Sequence, residues 1–242
     1  MPVLANAPST KATTRSNRIL GALPENELAR LLPHLEYVEM PLGWVICEPG
    51  IQFEWGYFPI NSIVSLLYMM ENGTAAEIAI TGNDGMVGIS LFMGGESTTS
   101  RAIVQHAGHG YRLRAKTLKS EFALGEHLQY LALRYAQALL TQMAQTTVCN
   151  RHHALEQQFC RWLLLRLDRL QGNQLLMTQE QIANILGVRR EGITEVAGRL
   201  QQQGLIRYSR GRITVVDRQA LQQRGCECHA VVRSEYARLC PD

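Results

Sequence analysis

Hydrophobic and polar positions follow different periods along the chain, and the first of these periods is that of β-strands. Between residues 36 and 114, short apolar runs are broken by turn residues such as Pro49-Gly50 and Gly82-Asn83-Asp84-Gly85. This pattern predicts strands near residues 36–40, 45–47, 55–60, 63–70, 74–80, 86–89, 100–106 and 110–114. Many evenly spaced short strands are typical of a β-roll or jelly roll.

The pattern becomes helical from Leu118 onward. Apolar residues recur at spacings of three and four as far as Met143, and Arg134 is the only formally charged residue from 128 to 150. A long helix of this kind favours the seam of a coiled-coil dimer, although a helix in the chain's own core would show a similar pattern. The residues predicted for the dimer interface are Leu128, Leu131, Tyr135, Ala138 and Leu139.

Two short helices are predicted after residue 177. Thr178 and Gln181 form a capping box that starts the first helix, and Gly187 ends it because glycine tolerates positive φ. The second helix begins at about Arg190 and has a polar face opposite an apolar one. Two short helices joined at a glycine predict a helix-turn-helix. A buried face is expected from Ile182, Ile185, Leu186, Ile193, Val196, Ala197 and Leu200.

A β-hairpin is predicted directly after the second helix. Gly204 precedes a first strand at 205–208, Ser209-Arg210-Gly211 forms a basic tip, and 212–216 forms the second strand. Helix–glycine–helix patterns also occur in proteins that do not bind DNA. The capping box, glycine, second helix and basic hairpin in this order nevertheless predict a winged helix-turn-helix that binds DNA.

Over residues 19–216 the sequence resembles the Crp/Fnr-type transcription regulators, the superfamily of the cyclic-AMP receptor and the fumarate–nitrate regulator. The run Arg189-Arg190-Glu191 is similar to the start of the family's recognition helix. The resemblance implies an α+β fold with an N-terminal cyclic-nucleotide-binding-like β-roll, a long dimerisation helix and a C-terminal winged helix-turn-helix. It also implies a homodimeric transcription regulator whose partners are double-stranded DNA, RNA polymerase and a small-molecule effector.

The resemblance also assigns roles to single residues. Arg190 would contact a guanine and Glu191 a cytosine in the major groove, with Thr194 and Glu195 adjusting the choice of base. Arg189 replaces the family's usual small N-cap residue, and Glu195 lies near the position of a further base-reading arginine in the cyclic-AMP receptor. The residues expected to contact phosphates are Thr178, Arg189, Arg199, Arg207, Arg210 and Arg212.

The stretch that corresponds to the family's cyclic-nucleotide cassette is altered. Gly88 is kept, but Ile89 replaces the carboxylate that holds the ribose, and Arg101 is displaced by about one position. An apolar side chain cannot accept hydrogen bonds from ribose, so cyclic AMP is not expected to bind in the usual way. The candidate effector pocket is Gly88, Ile89, Arg101 and Ala102. An alternative is a regulator that binds DNA without any effector.

Charge is distributed unevenly between the two parts of the chain. The net charge is +3, but residues 151–242 contain fourteen arginines against nine acidic residues. Residues 1–150 contain ten basic and twelve acidic residues. An excess of positive charge beside the helix-turn-helix is what phosphate contacts require.

Metal chemistry is the main alternative considered. Cys226-Glu227-Cys228-His229 could hold a metal, but zinc sites normally pair two such clusters, and no second one is evident in the sequence. His106 and His109 could serve a cupin-like metal enzyme fused to a DNA-binding module, although Gly108 favours surface histidines in a hairpin. No metal, no cofactor and no enzymatic activity are therefore expected.

The predicted organisation is a disordered tail at 1–17, a β-roll sensor domain at 18–117, a dimerisation helix at 118–150 and a DNA-binding domain at 151–242. The last includes a C-terminal helical extension with Val231, Val232, Tyr236 and Leu239 on its packing face. Arg161, Arg166 and Arg169 are predicted to be exposed. No apolar run is long enough to cross a bilayer, and the N-terminus lacks a signal-peptide core, so a cytoplasmic protein is expected.

Overall fold

The computed structural model describes residues 11–71 and 73–240. Within these residues the chain forms an N-terminal β-roll, a long helix beside it, and a C-terminal group of helices with a small sheet. Among the helices described, none is both long enough and apolar enough to cross a membrane.

Seven strands form the β-roll, and all of their pairings are antiparallel. They are β1 (Glu36–Met40), β2 (Val45–Cys47), β3 (Trp55–Pro59), β4 (Ile63–Met69), β5 (Ala75–Thr81), β6 (Arg101–His106) and β7 (Gly108–Arg114). One sheet has the order β1-β7-β3 and the other β2-β6-β4-β5. Fully buried side chains such as Phe58, Ile63 and Tyr111 belong to the core of the roll. The prediction of a β-roll is confirmed.

The strand predicted at residues 86–89 is wrong. Val87 forms only an isolated bridge with Tyr57, and the chain then turns into a 3-10 helix at Ile89–Leu91. The reason is Gly88, whose φ of 104° takes the backbone out of the extended conformation.

The predicted hairpin around His106 and His109 is also wrong. These residues lie on β6 and β7, which are consecutive in sequence but belong to different sheets. Gly108 is needed because the chain passes close to another segment here: a Cβ at this position would lie 2.6 Å from the backbone oxygen of Asn61. The glycine thus marks a crossing between sheets and not a tight turn.

Short helices precede the roll: α1 (Lys11–Thr14), α2 (Arg18–Gly21), α3 (Glu25–Leu31) and a 3-10 helix at Leu32–His34. The predicted disordered tail is therefore wrong for residues 11–17, and residues 1–10 lie outside the described part. Asn17 is fully buried, caps α2, and donates hydrogen bonds to the carbonyl oxygens of Pro59 (2.9 Å) and Gly85 (2.8 Å). A buried side chain amide with these partners fastens the segment to the roll.

The long helical region consists of two helices, α4 (Ala115–Ala123) and α5 (His127–His152). The chain breaks between them at Gly125, which has a φ of 73°. The prediction that Leu128, Leu131, Tyr135, Ala138 and Leu139 form the dimer interface is wrong, because these residues pack inside the chain. Leu128, Tyr135, Ala138 and Leu139 are at most 2% exposed in the core of the chain's own β-roll, and the half-buried Leu131 packs against that core.

The C-terminal part has its own hydrophobic core. Its elements are α6 (Leu155–Leu167), β8 (Gln174–Leu176), α7 (Gln179–Leu186), α8 (Arg190–Gln202), β9 (Ile206–Ser209), β10 (Arg212–Val215), α9 (Arg218–Arg224) and α10 (Glu227–Leu239). The sheet order is β8-β10-β9, so β8 adds a third strand to the predicted hairpin. Helices α6, α7, α8 and α9 and this sheet contribute the side chains of the core.

The last helix, α10, packs against α5 of the N-terminal part. Gln142 of α5 donates a hydrogen bond to the hydroxyl of Tyr236 at 2.8 Å, and Arg134 donates to the carbonyl oxygen of Leu239 at 2.7 Å. Val232, Tyr236 and Leu239 are buried as predicted, whereas Val231 is 39% exposed. The C-terminal extension thus returns from the helix-turn-helix to the β-roll.

Three arginines around α6 are buried, contrary to the prediction that they are exposed. Arg166 donates hydrogen bonds to Glu77 on β5 at 3.1 and 2.6 Å, and Arg169 pairs with Asp84 at 2.7 Å. Arg161 donates to the hydroxyl of Thr146 on α5 at 3.0 Å. These contacts join α6 to the roll and to α5, which periodicity along α6 alone does not reveal.

Candidate functional site

The first helix of the helix-turn-helix, α7, begins and ends where the sequence predicts. The hydroxyl of Thr178 accepts a hydrogen bond from the backbone N–H of Gln181 at 3.2 Å, and the Gln181 side chain accepts one from the Thr178 N–H at 2.8 Å. Gly187 ends α7 in the left-handed conformation, with a φ of 67°. The turn and the direction of α8 therefore follow from local chemistry.

The two faces of α8 differ as the sequence predicts. Ile193, Val196, Ala197 and Leu200 are at most 2% exposed. The opposite face is exposed and contains the four predicted base-reading residues, Arg190, Glu191, Thr194 and Glu195. The structure thus brings these residues together on one solvent-facing surface of a single helix.

Two of these four side chains already have partners within the chain. The hydroxyl of Thr194 donates a hydrogen bond to the side-chain oxygen of Gln179 on α7 at 2.7 Å. Glu195 forms an ion pair with Arg199, whose Nε also donates to Glu156 at 3.1 Å. The pKa of Arg199 is raised, first by its hydrogen bond to Glu156. Arg199, predicted to contact phosphate, would therefore have to share its charge with two carboxylates.

The wing lies beside the start of both helices. Its tip has two consecutive residues with positive φ, Arg210 at 50° and Gly211 at 75°, which turn β9 back into β10. The hydroxyl of Tyr208 donates a hydrogen bond to the carbonyl oxygen of Met177 at 2.7 Å, which holds the wing against the beginning of α7. The pKa of Tyr208 is raised to about 12 by burial, so this hydroxyl keeps its proton.

A groove of about 430 Å³ separates the wing from α8. Arg190 lines it on the helix side and Arg210 on the wing side. The remaining lining residues are Thr178, Gln179, Glu180, Tyr208, Ser209 and Gly211. Of the predicted phosphate contacts, Thr178 and Arg210 line this groove, whereas Arg189, Arg207 and Arg212 are exposed outside its lining. Gln179 is a polar lining residue that the sequence reasoning missed.

The candidate effector site is a cavity of about 300 Å³ between the roll and α5. Gly88 and Ile89 line it, as predicted, together with Leu139 and Met143 of α5. The other lining residues are Phe53, Leu66, Met86, Val87, Ser90, Met93, Gly95, Ser97, Thr98 and Ser100. This lining is apolar apart from a few hydroxyl groups and contains no charged residue.

The assignment of Arg101 and Ala102 to this cavity is wrong. The Nε of Arg101 donates a hydrogen bond to Glu48 at 2.8 Å, and Ala102 is fully buried within β6. Ser100, which precedes them, lines the cavity. Because successive side chains of a strand point to opposite faces, Arg101 is directed away from the site that Ser100 faces.

The histidines of the cupin-like alternative do not form a metal site with other ligands. His109 stacks on Tyr37 with ring centroids 5.3 Å apart. Burial, and next the charge of Arg166, lowers the pKa of His106. In residues 11–71 and 73–240, the one group of metal-ligating side chains found lies elsewhere, at Cys149, His153, Cys226 and Cys228.

That group supplies the second cluster that the sequence analysis did not find. Cys149 and His153 are four residues apart at the end of α5, a helical spacing that places both on one face. The predicted partner His229 is turned the other way and hydrogen bonds to Asp168 at 2.8 Å. The Cys-x-x-x-His spacing at 149–153 was the available sequence signal.

Comparisons with known proteins agree with this architecture. Residues 157–224 match the family described as a Crp-like helix-turn-helix domain. No match was found among the curated proteins. The described fold is similar to solved structures that the matches cover almost completely, over about four-fifths of this chain.

FixK2 from Bradyrhizobium japonicum is 14% identical with a TM-score of 0.67, and the match covers 79% of this chain and 98% of that one. A Crp/Fnr-family transcriptional regulator from Thermus thermophilus is 21% identical with a TM-score of 0.59, covering 78% and 97% of the two chains. The c-di-GMP-responsive regulator CLP from Xanthomonas campestris is 15% identical with a TM-score of 0.60, covering 80% and 100%.

Proposed function

We propose that this chain, which has the fold of the Crp/Fnr-type transcription regulators and carries their helix-turn-helix domain, is a homodimeric regulator that binds DNA in a sequence-specific manner. The observation that carries the proposal is the groove in which Arg190 of α8 faces Arg210 of the wing. An exposed polar helix face fits the major groove, where base edges can be distinguished, and basic residues around it fit the phosphates.

Arg190 and Glu191 are the proposed base-reading residues, and Thr194 and Glu195 act beside them. Because Thr194 is hydrogen bonded to Gln179 and Glu195 is paired with Arg199, these two side chains orient their neighbours as well as facing the DNA. Thr178, Arg189, Arg199, Arg207, Arg210 and Arg212 are the proposed phosphate contacts. Phosphate contacts fix the position on the duplex, whereas base contacts specify the sequence.

The dimer interface is proposed on the exposed face of α5. Tyr130, Leu133 and Leu140 are 52–56% exposed, although they are large and apolar. With Gln137, Ala144 and Thr147 they follow spacings of three and four, which is the repeat of a two-helix seam. The occupant is a second copy of α5, because a helix-turn-helix reader needs two recognition helices for two half-sites.

We propose that an effector bound in the cavity of the β-roll controls DNA binding by shifting the dimer helix α5. Leu139 and Met143 line the cavity, and Leu140 lies on the opposite, exposed face of the same helix. An effector that fills the cavity would be small and mostly uncharged, since the lining has no charged group to hold a cyclic phosphate. Cyclic AMP would not bind in the usual way. A regulator without an effector is the alternative, favoured by the same absence of charge in the lining.

RNA polymerase is the further partner expected of such a regulator, and we propose no enzymatic activity. The decisive experiment begins by selecting binding sequences from a random duplex pool. Affinity for a selected and a scrambled duplex is then measured by fluorescence anisotropy. We expect a preference of about a thousandfold or more, with half-sites separated by about one helical turn. Equal affinity for both duplexes would contradict sequence-specific binding.

The dimer is tested with Leu140→Glu, which places charge in the proposed seam. Light scattering coupled to gel filtration should report a monomer, and affinity for the selected duplex should fall because two half-sites are no longer bound together. Leu124→Glu is the matched control, since Leu124 is also 55% exposed but lies outside α5. A Leu140→Glu protein that remains dimeric would place the interface elsewhere.

A further inference from the structure

Four metal-ligating side chains meet where α5 ends and α10 begins. Cys149 is in the last turn of α5 and His153 follows its final residue, while Cys226 precedes α10 and Cys228 is in its first turn. Their ligand atoms all lie within 4.8 Å of one another. Residues separated by about 75 positions in sequence thus present three sulfurs and one imidazole nitrogen to one point.

Two of the distances between these atoms correspond to edges of a tetrahedron around a single ion. The sulfurs of Cys149 and Cys226 are 3.6 Å apart, and the sulfur of Cys228 is 3.5 Å from Nδ1 of His153. Zinc–sulfur bonds of about 2.3 Å and zinc–nitrogen bonds of about 2.0 Å, at tetrahedral angles, give edges of about 3.8 Å and 3.5 Å.

Other chemistry fits these distances less well. A disulfide would require a sulfur–sulfur distance of about 2.05 Å, well below the 3.6 Å between Cys149 and Cys226. In a [4Fe–4S] cluster each ligand binds a different iron atom, and in a [2Fe–2S] cluster four ligands are divided between two irons. Ligands on different irons are held farther apart than ligands around one ion. The spacing therefore favours a mononuclear site.

The surroundings of His153 also suit a metal ligand. With Nδ1 directed at the cluster, its other ring nitrogen, Nε2, lies 3.4 Å from the carboxylate of Glu227. A carboxylate behind the second nitrogen is the usual way in which a zinc-bound histidine is held in one orientation and one tautomer.

The positions of the cysteines suit metal binding. Cys226 directly precedes α10. A thiolate at the start of a helix is stabilised by the backbone N–H groups there. Cys149 and Cys228 are buried, so an ion held by all four residues would be largely shielded from competing ligands.

We propose that Cys149, His153, Cys226 and Cys228 form a structural zinc site of the Cys3His class. The ion would join the end of α5 to the beginning of α10, directly beside the short link at His153 and Ala154 that connects α5 to α6. Because α6 starts the DNA-binding part, the site fixes the point at which that part leaves the dimer helix. Zinc binding here is a property separate from DNA recognition.

The first test is the metal content of the full-length protein purified without added metal or chelator. Mass spectrometry of the elements should find one zinc per chain. Cys228→Ser should lose nearly all of it, since an alcohol is a poor zinc ligand. Cys47→Ser is the matched control and should keep one zinc: Cys47 is also buried, but its thiol donates to the carbonyl oxygens of Glu48 and Ile51, as a serine hydroxyl can.

The second test uses cobalt in the wild-type protein and so does not depend on the folding of a variant. Protein stripped of metal and titrated with Co²⁺ should develop the visible absorption of a tetrahedral cobalt–thiolate site, saturating at one equivalent, and Zn²⁺ should remove it. Iron with acid-labile sulfide, or no metal and no cobalt absorption, would overturn the proposal. Equal zinc loss in Cys47→Ser and Cys228→Ser would also overturn it. None of these results depends on whether the protein binds DNA.

Discussion

Arginines occur in two regions of the C-terminal part, and their environments are opposite. Around α6, Arg161, Arg166 and Arg169 are at most 5% exposed and point toward the β-roll and α5. On α8 and the wing, Arg190 and Arg210 are exposed and surround an open groove. Arginines therefore attach the C-terminal part to the β-roll and α5 in one region. In the other region they are available to bind an external anion.

The difference arises from the groups that the fold brings near each arginine. Arg166 lies over the ring of Trp162, with its Cζ 3.9 Å from the ring centroid, and it donates both terminal nitrogens to Glu77. Burial lowers the pKa of Arg166, which the neighbouring Glu77 partly offsets. A desolvated charge is tolerated only when it is paired. At Arg190 and Arg210 water can solvate the charge, because both side chains are exposed.

The largest effect is expected from Arg166→Ala, which leaves Glu77 in a buried place without its partner. Loss of one member of a buried ion pair typically costs about 3–5 kcal/mol of stability. Urea unfolding followed by circular dichroism should show this decrease in the free energy of unfolding. Arg224→Ala serves as the control, because the Arg224 side chain is 51% exposed and its distance of 3.8 Å from the Glu156 carboxylate is long for an ion pair. A loss below about 1 kcal/mol would show that water replaces the guanidinium.

Arg190→Ala should leave stability nearly unchanged but alter recognition. We expect a loss of about 1–3 kcal/mol of discrimination at one base pair of each half-site, because a bidentate contact to guanine is removed. Affinities for a set of single-substitution duplexes measure this. If specific and random duplexes lose affinity equally, Arg190 contacts the backbone and not a base.

A smaller and different effect is expected from Arg210→Ala at the wing tip. Removing one phosphate contact should weaken binding to all duplexes alike and reduce the slope of log affinity against log salt by about 1. Titrations at several salt concentrations give the slope. An unchanged slope would mean that the wing does not reach the DNA. Arg101→Ala, far from the groove, supplies the baseline slope.

The smallest effect is expected for the stability of Arg101→Ala itself. Its ion pair with Glu48 is partly exposed, with 32% and 46% of the two side chains accessible, and such surface pairs contribute about 0–1 kcal/mol. Urea unfolding should therefore barely distinguish this variant from the parent protein. A loss as large as that of Arg166→Ala would remove the distinction between buried and exposed arginines.

Local sequence determined several features of this protein by itself. The capping box of Thr178 and Gln181, the turn at Gly187 and the buried face of α8 all form as predicted, because their hydrogen bonds and contacts lie within a few residues or one helical repeat. Seven of the eight predicted strands are present for a related reason. A strand is indicated by the alternation of apolar and polar residues and by the turn residues at its ends, and both lie within a few positions of one another in the sequence.

Only the tertiary structure decided which neighbour each side chain meets. Periodicity shows that α5 has apolar residues on more than one face, but it does not show that Tyr135 packs into the roll while Leu133 is exposed. Periodicity likewise does not show that Arg166 pairs with Glu77, or that Cys149 lies beside Cys226. These pairs are separated by 89 and 77 residues, and their contacts depend on how the chain folds back on itself.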